Sequence, residues 1–239
     1  MKMMICLHGN PLQGQEFEHL MPSFNGLGIM PVIHKRPLKG AKFEPLLQSI
    51  SATAKVSGNG PFFLLGYSWG AYLALAYLQR FPENVAGALL INPLLVQTLN
   101  AETKGIKTPS LFKSLSFRYK CNQLACTFIE KSFTPSEPQP EIKERLEKEL
   151  SHALTWEGEA AYQKMMLERP LLSRSEPSSV PLRILVGEQD SLAPFESQAS
   201  LLNAYSSCTL TKIPDAGHAI PWTHSEFILQ ELNQLQETH

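Results

Sequence analysis

The chain has 239 residues, 43% hydrophobic and 18% charged, enough for one domain with a full core and room for an insertion. Its 21 basic and 22 acidic residues leave a formal charge of −1, which excludes the global basic field of a nucleic-acid binder. No apolar run reaches the ~18–20 residues that span a bilayer.

The apolar start is cut off at His8-Gly9-Asn10-Pro11, short of the ~7–15 apolar residues at the heart of a secretion signal. Four cysteines, Cys6, Cys121, Cys126 and Cys208, are too few for a disulfide scaffold and match no zinc spacing. They read as reduced thiols of a cytoplasmic protein. Of the 22 acids only Asp190 and Asp215 are aspartates, so a motif that needs an aspartate has few places to land.

Short apolar runs alternate with helical patterns, which predicts an α/β domain with a parallel sheet. The first strand is expected at 3–7, and a helix at 15–23 with Phe17 and Leu20 or Met21 on one side. A second strand follows at 29–33, then a helix at 42–55 with Leu46, Leu47 and Ile50 on a face. Residues 62–67 are apolar on both faces, as a central parallel strand is. The helix at 69–80 is apolar nearly all round and should be deeply packed. Further strands are expected at 85–91, 182–186 and 208–213. The closing helix, 223–236, carries Ile228, Leu232 and Leu235 on one stripe, with Thr223 and Glu226 as a capping box.

Residues 94–180 break this rhythm. They hold helical patterns, clearest at 141–150, where Ile142, Leu146 and Leu150 face one way. Glu141 with Arg145 and Glu144 with Lys148 form i,i+4 pairs on the other side. The domain boundaries expected are therefore a core of 1–93 and 181–239 and a helical insertion of 94–180.

Gly66-Tyr67-Ser68-Trp69-Gly70 lies between the central strand and the buried helix. A sharp strand-to-helix turn strains the serine backbone and projects Oγ at a helix N-terminus, where the dipole favours negative charge. A serine hydroxyl is a poor nucleophile near neutrality. It needs a basic imidazole, and the imidazole needs a carboxylate to fix its tautomer. His218 follows the strand 208–213, and Asp190 follows the strand 182–186. Asp215 is the back-up acid, and Glu188 a weaker one. Asn92 follows the strand 85–91, where some triads place their acid, but an amide cannot do that work. Acyl transfer also needs donors for the oxyanion. The backbone N–H groups of Trp69 and Asn10 fit that role, with His8 orienting their loop. His19, His34, His152, His224 and His239 show no partner pattern.

The segments His8-Gly9-Asn10-Pro11, Gly66-Tyr67-Ser68-Trp69-Gly70, Gly187-Glu188-Gln189-Asp190 and Asp215-Ala216-Gly217-His218, in that order, resemble the α/β-hydrolase superfamily over nearly the whole chain. The resemblance implies that 94–180 form a helical cap over Ser68. Size and cap position look like the small capped carboxylesterases, including those that cleave pimeloyl-carrier-protein methyl ester, and like the small hydrolases of menaquinone synthesis. Ala71 stands where many relatives carry a second glycine. The chain opens at the strand that is third in the usual eight-stranded sheet, so a six-stranded parallel sheet is expected, with 29–33 at its edge. Pro31 and His34-Lys35-Arg36-Pro37 would protect that edge from pairing with other chains. Serine at 68 departs from the dehalogenases and epoxide hydrolases, which use aspartate there.

The expected activity is cleavage of a carboxylic ester or thioester through Ser68, His218 and Asp190, with no cofactor and no metal. C–C bond hydrolysis or elimination with the same triad is the alternative, and a catalytically silent binding protein a remote one. Six cations, Lys104, Lys107, Lys113, Arg118, Lys120 and Lys131, face few acids nearby. That surface would suit an acyl carrier protein or an anionic substrate, although an ordinary solvated face has the same composition. Phe112, Phe117, Phe128, Phe133, Trp156, Met165 and Met166 would line an acyl pocket or form the cap's own core.

Overall fold

A computed structural model describes residues 1–10, 12–35, 42–57, 60–95, 129–135, 140–144, 146 and 178–237. Its six strands are β1 (Lys2–Leu7), β2 (Ile29–Ile33), β3 (Phe62–Tyr67), β4 (Val85–Ile91), β5 (Leu182–Gly187) and β6 (Cys208–Ile213). They form one sheet in the order β2-β1-β3-β4-β5-β6, and every neighbouring pair is parallel. The chain runs outward from β1 to β2, then returns past β1 to β3 and continues to β6. The order therefore reverses between β1 and β3, the place where open α/β sheets generally bind ligands at the carboxyl ends of their strands.

Each central strand is buried on both faces, and its residues alternate between two cores. Ile5 and Leu7 of β1, Phe62 and Leu64 of β3, and Leu182, Ile184 and Val186 of β5 pack on one side. There they meet α3 (Phe43–Ser57), α4 (Trp69–Arg80) and α5 (Phe195–Ala204), through Leu46, Leu47, Ile50, Leu73 and Leu201. Met4, Cys6, Phe63, Leu65, Tyr67 and Leu185 face the other side. That side is covered by α1 (Gln15–Glu18), α2 (Met21–Gly26) and the terminal helix through Phe17, Phe24, Ile228, Leu232 and Leu235. Helix α4 is buried from Trp69 to Leu78, as its all-round apolar sequence requires.

Three local expectations need correction. The helix expected at 15–23 is two short ones, broken at His19 and Leu20. Pro22 lies in the first turn of α2; it has no N–H to donate to residue 18, and its ring would clash with that carbonyl. The closing helix, α7 (Ser225–Glu237), begins two residues later than expected, and a separate short helix, α6 (Ile220–Thr223), precedes it. Thr223 forms no capping box for α7: its hydroxyl bonds back to the Ala219 carbonyl at 3.1 Å and pairs with His224 Nδ1 at 2.8 Å. Strand β2 does stand at a sheet edge, with Pro31 inside it opposite Met4. Residues 36–37 of the edge-protecting run lie outside the described residues.

Within 94–180, residues 129–132 and 140–144 are helical. Ile129, Phe133 and Leu146 are buried in the core that also holds Ala216, Ala219 and Ile220. Ser178 forms an isolated parallel bridge with Tyr205. The i,i+4 partners Arg145 and Lys148, five of the six cap cations, and Phe112, Phe117, Phe128, Trp156, Met165 and Met166 lie outside the described residues.

Candidate active site

Parallel pairing of β1 with β3, Leu7 beside Gly66, brings His8-Gly9-Asn10 alongside Tyr67-Ser68-Trp69. Ser68 sits between β3 and α4 with φ 54° and ψ −115°. A non-glycine residue rarely adopts that conformation, and it stores about 1–3 kcal/mol that the surrounding packing must offset. The flanking glycines allow the turn by close approach. A Cβ on Gly66 would lie 2.5 Å from the Ala71 Cα, and one on Gly70 would lie 1.8 Å from the Leu7 carbonyl oxygen.

The other two strand ends bring the partners. Ser68 Oγ lies 2.9 Å from His218 Nε2, and His218 Nδ1 lies 2.7 Å from Asp190 Oδ2. Ser68 and Asp190 are each 4% exposed and His218 is 0% exposed, so bulk water does not compete for these bonds. A hydroxyl that donates to Nε2, with Nδ1–H donating to a carboxylate, is the arrangement that activates a serine. Asp190 also closes its own turn: Oδ1 accepts the Leu192 and Ala193 N–H groups at 2.8 and 2.9 Å. Its two carboxylate oxygens thus serve the turn and the histidine separately.

The rival acids lie elsewhere. Asp215 is exposed and accepts a bond from Gln189 Nε2 at 3.2 Å. Glu188 is exposed and pairs with Lys212 at 3.7 Å. Asn92 is completely buried and binds backbone groups rather than the imidazole ring. His34, outside the site, is buried against Ser49 Oγ at 2.8 Å.

The loop after β1 is held from both sides of Gly9. His8 Nδ1–H donates to the Gly9 carbonyl at 2.9 Å, as expected of a loop-orienting histidine. The Gly9 N–H donates to Glu16 Oε1 at 2.7 Å. Glu16 is completely buried and was not singled out by the sequence pattern. Its one local signal is an acid in the first turn of a helix. Gly9 packs closely against the serine turn: a Cβ there would lie 2.8 Å from the Tyr67 ring and 3.5 Å from Ser68 Cβ. Trp69 opens α4 and stacks on Tyr72, with centroids 4.9 Å apart and planes 9° from parallel.

The insertion reaches this site. The Ala219 N–H donates to the Ser132 carbonyl at 2.9 Å, and the Thr134 hydroxyl donates to the Asp215 carbonyl at 3.1 Å. The histidine loop is thereby tied to residues 132–134.

A protein-family model described as the alpha/beta hydrolase fold matches residues 55–225. The chain belongs to the α/β-hydrolase family. This α/β-hydrolase is 24% identical over 180 residues to the biotin biosynthesis bifunctional protein BioHC of Cellvibrio japonicus. That match takes in 73% of this chain and 35% of the relative, so the chain spans about a third of the curated protein it matches. Among solved structures, it superposes on a thermophilic esterase of Thermogutta terrifontis with a TM-score of 0.79 at 20% identity, over 100% of this chain and 90% of that one. An esterase of Exiguobacterium antarcticum gives 0.77 at 19% identity, over 99% and 92%. At these identities the structural likeness speaks for the shared fold. The hydrolase reading of this chain rests on its own Ser68, His218 and Asp190, which the fold gathers at one rim of the sheet.

Proposed function

We propose that this α/β-hydrolase cleaves a carboxylic ester or thioester through a covalent acyl-enzyme. The observation that carries the reading is the continuous Ser68–His218–Asp190 hydrogen-bond chain, at 2.9 and 2.7 Å. His218 Nε2 takes the Ser68 proton as Oγ attacks the substrate carbonyl. Asp190 stabilises the imidazolium and holds its tautomer. The backbone N–H groups of Asn10, after β1, and of Trp69, the first residue of α4, are assigned as the donors for the oxyanion, worth roughly 3–4 kcal/mol each in such sites. The imidazolium then protonates the leaving alcohol or thiol. Water, deprotonated by His218, attacks the acyl-enzyme, and the acid departs as Ser68 recovers its proton.

Residues 94–180 act in this reading as a cap over the core of 1–93 and 181–239, supported by the bonds of residues 132 and 134 to the histidine loop. The substrate is a small acyl ester. An acyl carrier protein is a candidate donor of the acyl group, supported by the cations between Lys104 and Lys131. Cytoplasmic residence is part of the reading; Cys6 and Cys208 are free thiols, and no helix among the described residues is long and apolar enough to cross a membrane.

The test is a panel of p-nitrophenyl esters and acyl-CoA thioesters from C2 to C16, with Ser68→Ala as control. The variant is expected to lose about 10⁶-fold in kcat. Ester cleavage by Ser68→Ala at the wild-type rate overturns the reading. Accumulation of an acyl-enzyme during turnover separates ester cleavage from C–C cleavage. Loss of salt dependence in kcat/KM overturns steering by a carrier.

A further inference from the structure

The four residues Ile91 to Leu94, at the end of β4, touch the end of every strand that carries a member of the triad. The Ser68 N–H donates to the Ile91 carbonyl at 2.8 Å, and the Leu94 N–H donates to the Ser68 carbonyl at 3.2 Å. The nucleophile's own peptide groups are thus held by this segment. The Asn92 N–H donates to the Leu185 carbonyl of β5 at 2.8 Å. Gln198 Nε2, from α5, donates to the Pro93 carbonyl at 2.9 Å and fixes the segment from outside.

The Asn92 side chain extends this to the other two members. Its Oδ1 accepts the Gly187 N–H at 3.0 Å, at the start of the turn that bears Asp190. Its Nδ2 donates to the carbonyls of Gly217 and His218, at 3.3 and 2.9 Å. The Tyr67 hydroxyl donates to the same His218 carbonyl at 3.0 Å. Only a carboxamide supplies an acceptor toward one strand end and donors toward another from a single short side chain. The backbone narrows the choice further: φ at Asn92 is 45°, in the left-handed region that asparagine tolerates better than other non-glycine residues.

We infer that Asn92 is a positioning residue that, with Tyr67, anchors His218 by its main-chain carbonyl and so sets the approach of the imidazole to Ser68. The inference rests on the hydrolase reading for its catalytic consequence. Asp190 orients the ring about its far nitrogen; Asn92 and Tyr67 place the backbone from which the ring hangs. One segment then fixes the backbones of both nucleophile and base.

Asn92→Asp tests this. It keeps the size, suits the backbone, and retains the acceptor for Gly187, but it removes both donors and sets a carboxylate against two carbonyl oxygens. The expected result is a fall in kcat on the order of 10²-fold with KM changed by less than about threefold, because misplacement of the base weakens the transition state and not substrate binding. The downfield proton NMR resonance of the His218–Asp190 hydrogen bond is expected to shift or broaden. Tyr67→Phe removes one donor and adds no charge, and should give a smaller change of the same kind. Folded Asn92→Asp with wild-type kcat and an unmoved resonance overturns the inference. If that variant does not fold, Tyr67→Phe decides by the same two readouts. A wild type that cleaves no ester, but whose resonance moves on substitution, overturns the hydrolase reading and upholds this one.

Discussion

Asp190 Oδ2 meets His218 Nδ1 at 2.7 Å while Asp190 Oδ1 accepts the N–H groups of Leu192 and Ala193. One carboxylate therefore shapes its own turn and orients a histidine 28 residues away. The two duties separate on substitution. Asp190→Asn keeps an oxygen for the turn but turns an amide N–H toward Nδ1 and forces the wrong tautomer. A loss of about 10⁴-fold in kcat is expected with a near-native melting temperature. Asp190→Ala should lose activity and also about 1–3 kcal/mol of stability, as the Leu192 and Ala193 donors lose their partner. Kinetics together with thermal unfolding of both variants check this.

Gly70→Ala tests the packing that supports the strained serine. The new methyl would lie 1.8 Å from the Leu7 carbonyl oxygen, so α4 must move away from β1. The expected cost is at the upper end of the ~1–3 kcal/mol typical of overpacking, with activity lost as Ser68 shifts. Gly26→Ala is the control: nothing lies within 4 Å of the added carbon, and its thermal midpoint should match the wild type or exceed it.

Glu16 gives the loop after β1 its acceptor. Glu16→Ala leaves the Gly9 N–H without this bond, and about 1–3 kcal/mol of stability should be lost, along with kcat if the loop after β1 supplies the proposed oxyanion donor. Glu16→Gln retains an oxygen for Gly9 and should recover most of both. Equal activity in Glu16→Ala and wild type, measured well below their melting temperatures, would falsify a role for this contact in holding the loop.

The thiols predict an alkaline weakness. Burial pushes Cys208 up from 9.0 to about 11, and burial with the nearby Glu16 charge pushes Cys6 well above the usual thiol range. A folded-state value above the unfolded one means that the unfolded chain releases its protons first. The stabilisation is complete below pH 9 and is lost as pH rises toward 11. Melting temperatures from pH 8 to 11 should fall, and Cys208→Ala should fall less steeply. At neutral pH the buried Cys6 should escape alkylation in the folded protein and the half-buried Cys208 should react only slowly, as read by peptide mass mapping.

The order of strands and helices, the edge position of 29–33, and the identity of Ser68, Asp190 and His218 were legible because each leaves a local mark. Apolar period separates strand from helix, glycines flank the serine, and one aspartate and one histidine stand directly after strands. The break at Leu20 was missed because apolar period alone carried the helix through it, although Pro22 marked it; the closing helix was started two residues early because Thr223 and Glu226 have the spacing of a capping box.

The sequence by itself determined which residues stand at strand ends and which chemistry they carry. Only the tertiary structure decided how those ends are held together. Glu16 has no pattern that ties it to Gly9, and Asn92 reads locally as an acid position without an acid. Their partners are chosen by strand order and register, which bring Asn92 beside a carbonyl 126 residues further along the chain. A hydrogen bond across that distance depends on the closed sheet, and no local periodicity encodes it.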